Sequence, residues 1–228
     1  MPLKGFTYII GDIHGCAKTF RYMVECKLNL TKNDELYLLG DYINRGPDSK
    51  GVIDFILSLI DDGFRVFPLR GNHEEMLLQS NRVKVFFENL EDNTKKKNKT
   101  LLTKNTYLKY LEFFQKLPIS YYLKERGLIL VHAGVNYTEQ NPLQNADIVL
   151  WTRTSIFNET FPKNTILIHG HTPLSLDTIE KSIPVNPLYE INLDGGCVYT
   201  NRKGQGNLVA LNFEKMELLV VQNKENCA

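Results

Sequence analysis

Cysteine is scarce in this chain, and long apolar runs are missing. The four cysteines among 228 residues form neither a CxxC pair nor the dense spacing of a disulfide framework. No apolar stretch approaches the roughly 20 residues that span a bilayer, and the amino terminus lacks the charged, apolar and small-residue order of a signal peptide. We therefore expect a reducing compartment, the cytoplasm, and no membrane partner.

An excess of either charge is also missing. The 27 basic and 26 acidic residues leave a formal net charge of +1, which excludes a global attraction to nucleic-acid duplexes or anionic membranes. Any recognition of phosphate therefore has to be local. The hydrophobic fraction of 43% and the charged fraction of 23% are ordinary for a globular enzyme. Residues 1–228 are expected to form a single domain, and nothing in them indicates an oligomeric state.

Five short polar segments stand out in the chain, and four of them contain or adjoin its histidines. Four of them directly follow an apolar run with the composition of a buried strand, and the fifth follows such a run after Arg70. A glycine lets the chain turn sharply in each segment, so we expect five strand ends to converge on one site. The segments are residues 11–15, 40–46, 71–74, 132–134 and 170–173.

The hydrophobic pattern predicts an α/β fold that starts βαβαβ, which favours parallel strands with ligands at their carboxyl ends. Ser49 precedes an apolar-periodic run and is expected to cap the second helix. Mostly strands follow Pro118, so we expect two packed, mixed β-sheets flanked by helices. Strands are predicted at residues 8–10, 36–39, 66–69, 121–123, 128–132, 165–169, 191–194, 208–213 and 217–221.

The middle of the chain shows no strand pattern, and residues 76–117 are predicted to form a helical insert. Two helices are expected there, joined by residues 91–99, which contain a run of lysines. We expect that run to be a solvated loop. The alternative is a basic lid that attracts anionic substrates.

Six side chains of the polar segments supply a mixed set of oxygen and nitrogen ligands. They are Asp12, His14, Asp41, Asn72, His132 and His171. Such a set suits manganese, iron, zinc or cobalt better than calcium, and we expect two divalent ions, with manganese first. A carboxylate that bridges two ions holds them roughly 3.5 to 4 Å apart, an arrangement suited to in-line attack of water on phosphorus. The predicted reaction is hydrolysis of a phosphate ester or anhydride.

These segments resemble the PPP branch of the calcineurin-like metallophosphoesterases, the superfamily of Ser/Thr protein phosphatases. The pattern GDxHG, GDxxDRG, GNHE, a histidine before small residues and a later histidine runs in this order between residues 11 and 173. The segments Trp151-Thr152-Arg153 and Gly170-His171-Thr172-Pro173 look most like the compact bacterial and phage enzymes of the branch. The resemblance implies the metallophosphoesterase fold.

The resemblance also implies roles for the individual residues. The first metal ion would be bound by Asp12, His14 and Asp41. The second would be bound by Asp41, as the bridge, together with Asn72, His132 and His171. His73 would protonate the leaving oxygen, and Arg45 and Arg153 would bind phosphate oxygens through their planar guanidinium groups.

Two further residues near the motifs match no implied role. His169 is expected to be a partly buried histidine at a strand end, with a contact behind the ligands as the alternative. Asp194, in the sequence Asp-Gly-Gly, is expected to start an ordinary β-turn, because Asp-Gly pairs favour turns for backbone reasons alone. A functional turn near the site is the alternative.

Asn44 departs from the family pattern, which has an aspartate at this place to support the catalytic histidine. An amide orients the ring without favouring the imidazolium, so we expect weaker general acid catalysis by His73. A serine or threonine alkoxide needs a proton to leave, whereas a nucleotide departs largely unprotonated. The sequence Asn44-Arg45-Gly46-Pro47 also resembles the symmetrical dinucleoside tetraphosphatases. Those enzymes are usually longer and commonly carry Asp at the place of Glu74 and Gly-His-Trp at the place of Gly-His-Thr-Pro.

Three functions follow from these observations. The first expectation is a Ser/Thr-type protein phosphatase or phosphomonoesterase, whose substrate is a phosphoprotein or a small phosphorylated compound. The second is a symmetrical dinucleoside tetraphosphate or nucleotide-cap hydrolase, which Asn44 favours. The third is a metal-bearing pseudophosphatase that binds phosphate ligands without turnover.

Overall fold

The computed structural model describes residues 5–80, 104–183 and 190–225. Each strand predicted from the sequence is found within these ranges, with ends that differ by one or two residues. In chain order the strands are β1 (Thr7–Ile10), β2 (Glu35–Leu38), β3 (Arg65–Pro68), β4 (Ser120–Leu123), β5 (Leu128–Val131), β6 (Ile166–His169), β7 (Glu190–Asn192), β8 (Asn207–Asn212) and β9 (Glu217–Gln222).

The strands form two mixed sheets, as the sequence predicts. The first has the order β3-β2-β1-β8-β9, and the second has the order β4-β5-β6-β7. Strands β1, β2 and β3 are parallel to one another, as are β5, β6 and β7. Each sheet therefore has an edge at which several carboxyl ends meet. The segments that carry the polar motifs begin at these ends.

The two sheets pack face to face through a shared apolar core. Because side chains alternate across a strand, every second residue points into this layer. The layer includes Ile9 of β1, Leu130 of β5, Ile168 of β6 and Leu211 of β8, all with no exposed surface. Each fully buried side chain of this kind contributes about 1.5 to 3 kcal/mol. The packing fixes the distance between the two sheet edges and thus between the motifs.

Helices cover the outer faces of the sheets. Their bounds are α1 (Ala17–Tyr22), continued by a π-helical turn (Met23–Lys27), α2 (Ser49–Asp61), α3 (Asn72–Gln79), α4 (Lys104–Lys116), α5 (Ala146–Val149) and α6 (Leu176–Ser182). Helix α2 is amphipathic and buries Val52, Ile56 and Leu59 against the first sheet. None of the described helices is both long and apolar enough to cross a membrane.

The cap of α2 differs from the sequence prediction. Asp48 is the capping residue, and its Oδ1 accepts the Gly51 N–H at 2.7 Å. Ser49 is the first residue of the helix. Its hydroxyl instead accepts the Asn44 N–H at 3.0 Å. The prediction was wrong because the serine hydroxyl stabilises the second motif loop.

The predicted helical insert is described only at its two ends. Its first helix, α3, begins at Asn72 inside the third motif, earlier than the predicted start at Met76. Its last helix, α4, ends at Lys116, ahead of Pro118 as predicted. The lysine run within residues 91–99 lies outside the described residues. The single-domain organisation stays a prediction.

Candidate metal centre and substrate cleft

The polar motifs of both sheets meet at one site. Asp12 and His14 follow β1, Asp41 follows β2, and Asn72 lies in the first turn of α3 after β3. From the second sheet, His132 follows β5 and His171 follows β6. All six residues are buried, apart from His171, which is half-buried.

Several of these residues adopt a left-handed backbone. The φ angle is +46° at His14, +53° at Asp41, +67° at Asn44, +66° at Arg45 and +71° at His171. This conformation is uncommon outside glycine and persists only where the surrounding structure enforces it. Such strain clusters at functional sites. The strained backbone therefore occurs at the same site as the potential ligand side chains.

The first group of potential ligands joins β1 to β2. His14 Nδ1 lies 3.1 Å from the Ile43 carbonyl, so this nitrogen carries the proton and donates. The lone pair of His14 Nε2 then faces two carboxylates, 3.3 Å from Asp41 Oδ2 and 3.8 Å from Asp12 Oδ2. An imidazole lone pair and two carboxylates that face one another form an oxygen and nitrogen ligand set.

The second group joins the two sheets. His132 Nδ1 donates to the Leu39 carbonyl at 2.8 Å, which leaves the lone pair on Nε2. That Nε2 lies 3.2 Å from His171 Nδ1, 2.9 Å from Asn72 Oδ1 and 3.5 Å from Asp41 Oδ1. Asp41 thus faces both groups through its two carboxylate oxygens, as a bridging ligand would.

The contacts of Asn72 test whether a cation fits. Its Oδ1 faces atoms that are themselves acceptors, His132 Nε2 at 2.9 Å and His171 Nδ1 at 3.2 Å. A half-turn of the amide would make these contacts hydrogen bonds and would also bring its NH₂ 3.2 Å from Asp41 Oδ2. A divalent cation satisfies the same lone pairs at once without that turn, because amide oxygen, imidazole and carboxylate are all its usual ligands. The residues present therefore fit a metal centre.

The pKa values of these groups also fit a metal centre. Burial lowers the pKa of His132 and of His171 to about 3, so both are neutral with a free lone pair at physiological pH. Burial raises the pKa of Asp41 to about 7. Burial, followed by the charge of Asp194, raises the pKa of Asp12 well above its usual value. A bound divalent cation would favour the deprotonated carboxylates that burial opposes.

Glu74 fixes the loops of the site, a role that the motif pattern did not reveal. Its carboxylate is fully buried and accepts four backbone N–H groups, from Asp41 and Tyr42 at 2.9 Å, Gly71 at 3.0 Å and Ile43 at 3.3 Å. These bonds connect the second motif to the third. They also explain how the left-handed conformation at Asp41 is maintained.

Asp194 lies close enough to Asp12 to raise the pKa of that residue, which agrees with the alternative of a functional turn near the site. Its Oδ1 accepts the Gly196 N–H at 2.9 Å, which is the contact expected of a turn. Its Oδ2 is buried and has no hydrogen-bond partner among the described residues. Burial, followed by the negative charge of Asp41, raises the pKa of Asp194 to about 7. The side chain therefore adds negative charge beside the predicted metal ligands, although it matches no motif.

His169 lies outside both groups. It is 8% exposed at the end of β6, and its Nε2 lies 3.2 Å from Oε1 of Glu190. Its Nδ1 lies 3.1 Å from the Gly170 carbonyl. The residue thus secures the end of β6 next to His171, in line with the expected partly buried histidine.

The side chains of Asn44 and His73 are in contact. Asn44 Nδ2 lies 2.9 Å from His73 Nδ1. When the amide donates, Nδ1 is the acceptor and the ring proton is on Nε2. Burial, followed by the positive charge of Arg45, lowers the pKa of His73 to about 4. The neutral ring is therefore the stable form at physiological pH.

Arg45 is exposed and also contacts a predicted metal ligand. Its Nη1 donates to His14 Nε2 at 2.8 Å. His14 is one of the residues that the resemblance assigns to the first metal ion. Arg45 therefore has to move away from His14 before the imidazole can bind an ion. Its flexible side chain allows that movement within the cleft that it lines.

A cleft of about 520 Å³ opens above the two ligand groups. It is lined by Arg45, Asn72, His73, Met76, Trp151, Arg153, His171, Pro173, Tyr199 and Arg202. Three of these residues are arginines, and none is acidic. The sequence predicted Arg45 and Arg153 here, but it did not reveal Tyr199 and Arg202, which follow the Asp-Gly-Gly turn.

Comparison with known proteins identifies the family. Residues 7–203 match the family described as calcineurin-like phosphoesterase. The chain belongs to the calcineurin-like phosphoesterases. The resemblance inferred from the motifs is thereby confirmed. Membership in this family implies divalent metal ions, as the ligand chemistry does, and leaves their identity a prediction.

Two relatives of this calcineurin-like phosphoesterase are nucleotide hydrolases by name. The chain is 34% identical over 129 residues to the symmetrical bis(5'-nucleosyl)-tetraphosphatase of Wigglesworthia glossinidia brevipalpis. The aligned region covers 56% of this chain and 44% of that protein. The chain is 26% identical over 244 residues to the asymmetrical bis(5'-nucleosyl)-tetraphosphatase PrpE of Oceanobacillus iheyensis. This aligned region covers 95% of this chain and 92% of that protein. The phosphoesterase thus spans less than half of the first relative and nearly all of the second.

Solved structures confirm the fold of this phosphoesterase. It is similar to a proposed diadenosine tetraphosphatase, with a TM-score of 0.66, 21% identity and coverage of 96% of this chain and 94% of that chain. It is also similar to a protein serine/threonine phosphatase from Saccharomyces cerevisiae, with a TM-score of 0.61, 14% identity and coverage of 92% and 74%. These likenesses show the predicted metallophosphoesterase fold and no more.

Proposed function

We propose that this phosphoesterase hydrolyses a phosphoanhydride bond of bis(5'-nucleosyl) tetraphosphates. The observation that carries the proposal is the contact of the Asn44 amide with His73 at 2.9 Å. An amide at this place cannot stabilise an imidazolium as a carboxylate does. The site is therefore suited to a leaving group that departs largely unprotonated, and a nucleotide is such a group.

The comparisons favour the nucleotide hydrolase over the protein phosphatase, which is the first expectation from the sequence. The relative that is matched over 95% of the chain is a tetraphosphatase by name, as is the relative with 34% identity. The likeness to the yeast protein phosphatase, at 14% identity, concerns the fold. The second sequence-based hypothesis therefore replaces the protein phosphatase as our proposal.

The metal ligands that we propose are those implied by the resemblance. Asp12, His14 and Asp41 would bind one divalent ion. Asp41 would bridge to a second ion bound by Asn72, His132 and His171, and we propose manganese for both. Such ions polarise phosphoryl oxygens and supply a reactive nucleophile at neutral pH.

The other cleft residues would bind and orient the substrate. The guanidinium groups of Arg45 and Arg153 would bind phosphate oxygens, once Arg45 has left His14. His73, with its ring proton on Nε2, would donate a hydrogen bond to the leaving phosphate oxygen. Full proton transfer from His73 is not required, because a nucleotide phosphate is stable as an anion.

Product analysis tests the proposal. The manganese-loaded protein is incubated with diadenosine tetraphosphate, and the nucleotides are resolved by ion-exchange chromatography. Release of ADP alone, or of ATP with AMP, supports the proposal and shows which bond is cleaved. The Asp41→Asn variant is the negative control. If a phosphoserine peptide releases phosphate while the nucleotide stays intact, the enzyme is a phosphomonoesterase and the proposal is wrong.

A further inference from the structure

The cleft continues beyond the motif residues along the loop between Asp194 and β8. Tyr199 and Arg202 of this loop line the cleft together with Arg45 and His73. The guanidinium carbon of Arg202 lies 3.8 Å from the centroid of the Tyr199 ring. The guanidinium carbon of Arg45 lies 5.8 Å from the same ring. Tyr199 thus contacts Arg202 and lies near Arg45, which itself contacts the predicted ligand His14.

The loop holds this pair in a fixed place. Consecutive turns fold it, with the Arg202 N–H donating to the Tyr199 carbonyl at 3.1 Å and the Gln205 N–H donating to the Arg202 carbonyl at 3.1 Å. The Gln205 side chain donates to the Pro173 carbonyl at 3.2 Å. Since Pro173 belongs to the motif that contains His171, the loop is attached directly to the candidate metal centre.

The charge of the cleft exceeds what a single phosphate group needs. Arg45, Arg153 and Arg202 all line it, and no carboxylate does. Among the described residues, no carboxylate forms an ion pair with Arg153 or Arg202 either. One phosphate group can be bound by two guanidinium groups. A third guanidinium group that forms no ion pair with a described carboxylate indicates a substrate with several phosphates in a row.

We propose that Arg202, oriented by stacking on Tyr199, forms a distal subsite for the polyphosphate chain beyond the bond that is cleaved. This inference rests on the proposed function and names the residue that distinguishes a polyphosphate from a phosphomonoester. Stacking on an aromatic ring leaves the edge of the guanidinium group free to donate in a planar, bidentate manner. It also limits the side-chain freedom that is lost when the substrate binds.

The test compares Arg202→Gln with Lys203→Gln in the manganese-loaded enzyme. Lys203 is exposed, carries the same charge in the same turn and does not line the cleft. We expect Arg202→Gln to raise KM for diadenosine tetraphosphate about tenfold, the effect of one charge-assisted hydrogen bond. The ratio of kcat/KM for this substrate to kcat/KM for p-nitrophenyl phosphate should fall in parallel. Lys203→Gln should change either quantity less than about twofold. Equal effects of both variants would overturn the proposal.

A binding measurement separates the subsite from the proposed function. Trp151 is the only tryptophan of the chain and lines the same cleft, so its fluorescence reports ligand binding without turnover. We expect Arg202→Gln to weaken binding of ADP about tenfold and to leave binding of orthophosphate within about twofold. If diadenosine tetraphosphate is cleaved but ADP binding is unchanged by the variant, the subsite is wrong and the function stands. If ADP binding weakens as expected but the tetraphosphate is not cleaved, the subsite stands and the function is wrong.

Discussion

The amide of Asn44 lies 2.9 Å from Nδ1 of His73, where the family pattern has a carboxylate. When the amide donates, this contact leaves the ring proton of His73 on Nε2. Burial and Arg45 lower the pKa of His73 to about 4, and Asn44 offers no negative charge to raise it. His73 is therefore neutral at physiological pH.

Replacing Asn44 with aspartate should restore the general acid. A hydrogen-bonded carboxylate raises the pKa of an imidazole by about 1 to 3 units. We expect Asn44→Asp to increase kcat on an alkyl phosphate about tenfold and kcat on an aryl phosphate less than about twofold. Steady-state kinetics on the two substrates measures this. An equal change on both would show that position 44 acts through another route, such as the placement of Arg45.

Replacing Asp41 should abolish metal binding at both sites. Its two oxygens face both ligand groups, 3.3 Å from His14 Nε2 and 3.5 Å from His132 Nε2. We expect Asp41→Asn to retain less than about one tenth of the bound metal and to reduce kcat by at least about a thousandfold. Atomic emission spectroscopy measures the metal content. The control is Asp177→Asn, which changes an exposed carboxylate of α6. Two metal ions bound by the Asp41→Asn protein would disprove the bridging role.

Asp194 should increase metal affinity through its charge. Its buried Oδ2 has no partner among the described residues, and its charge lies close enough to raise the pKa of Asp12. We expect Asp194→Asn to weaken metal binding roughly tenfold, the usual effect of residues behind the ligands. Competition with a fluorescent chelator gives the affinity. If a properly folded variant binds metal with unchanged affinity, Asp194 only stabilises its turn and does not contribute to metal binding.

Stability of the metal-free protein should fall as the pH rises from about 6.5 to 8. The pKa of Asp41 is raised from 3.8 to about 7, that of Glu74 from 4.5 to about 8, and that of Asp194 from 3.8 to about 7, all chiefly by burial. Burial lowers the pKa values of His14, His73, His132 and His171 from 6.5, and these groups offset the carboxyl groups at lower pH. Above about pH 6.5 the histidines are mostly neutral in both states, so the folded state binds more protons and the free energy of unfolding decreases with pH. We expect a loss of at least about 1 kcal/mol in urea unfolding. The manganese-loaded protein should lose less, and a rise with pH in the metal-free protein would contradict the account.

Much of the fold and of the candidate site could be predicted because it is encoded locally. Each strand is an apolar run, and each predicted ligand lies in the polar segment that follows one of these runs. Parallel strands bring such positions to one sheet edge, so Asp12 and Asp41 were expected to meet. The contact of Asn44 with His73 was anticipated from a single departure within one motif.

The remainder depends on contacts between distant segments. Glu74 accepts N–H groups from residues 31 to 33 positions earlier in the chain, and nothing in its own segment indicates this. Asp194 follows β7, but its Asp-Gly-Gly sequence is also that of an ordinary turn. Arg202 lies in a polar turn and lines the cleft only because the loop is attached at Pro173. Asp48 replaced the predicted cap because the Ser49 hydroxyl is used by the loop at Asn44.

The ratio of kcat/KM for diadenosine tetraphosphate to kcat/KM for a phosphoserine peptide tests the central claim most directly. Both values are measured on one manganese-loaded preparation at the same pH. The account predicts a ratio of at least about 100, because the neutral His73 favours a leaving group that needs no proton. A ratio below one would show that the enzyme cleaves phosphomonoesters despite Asn44, and it would contradict the account.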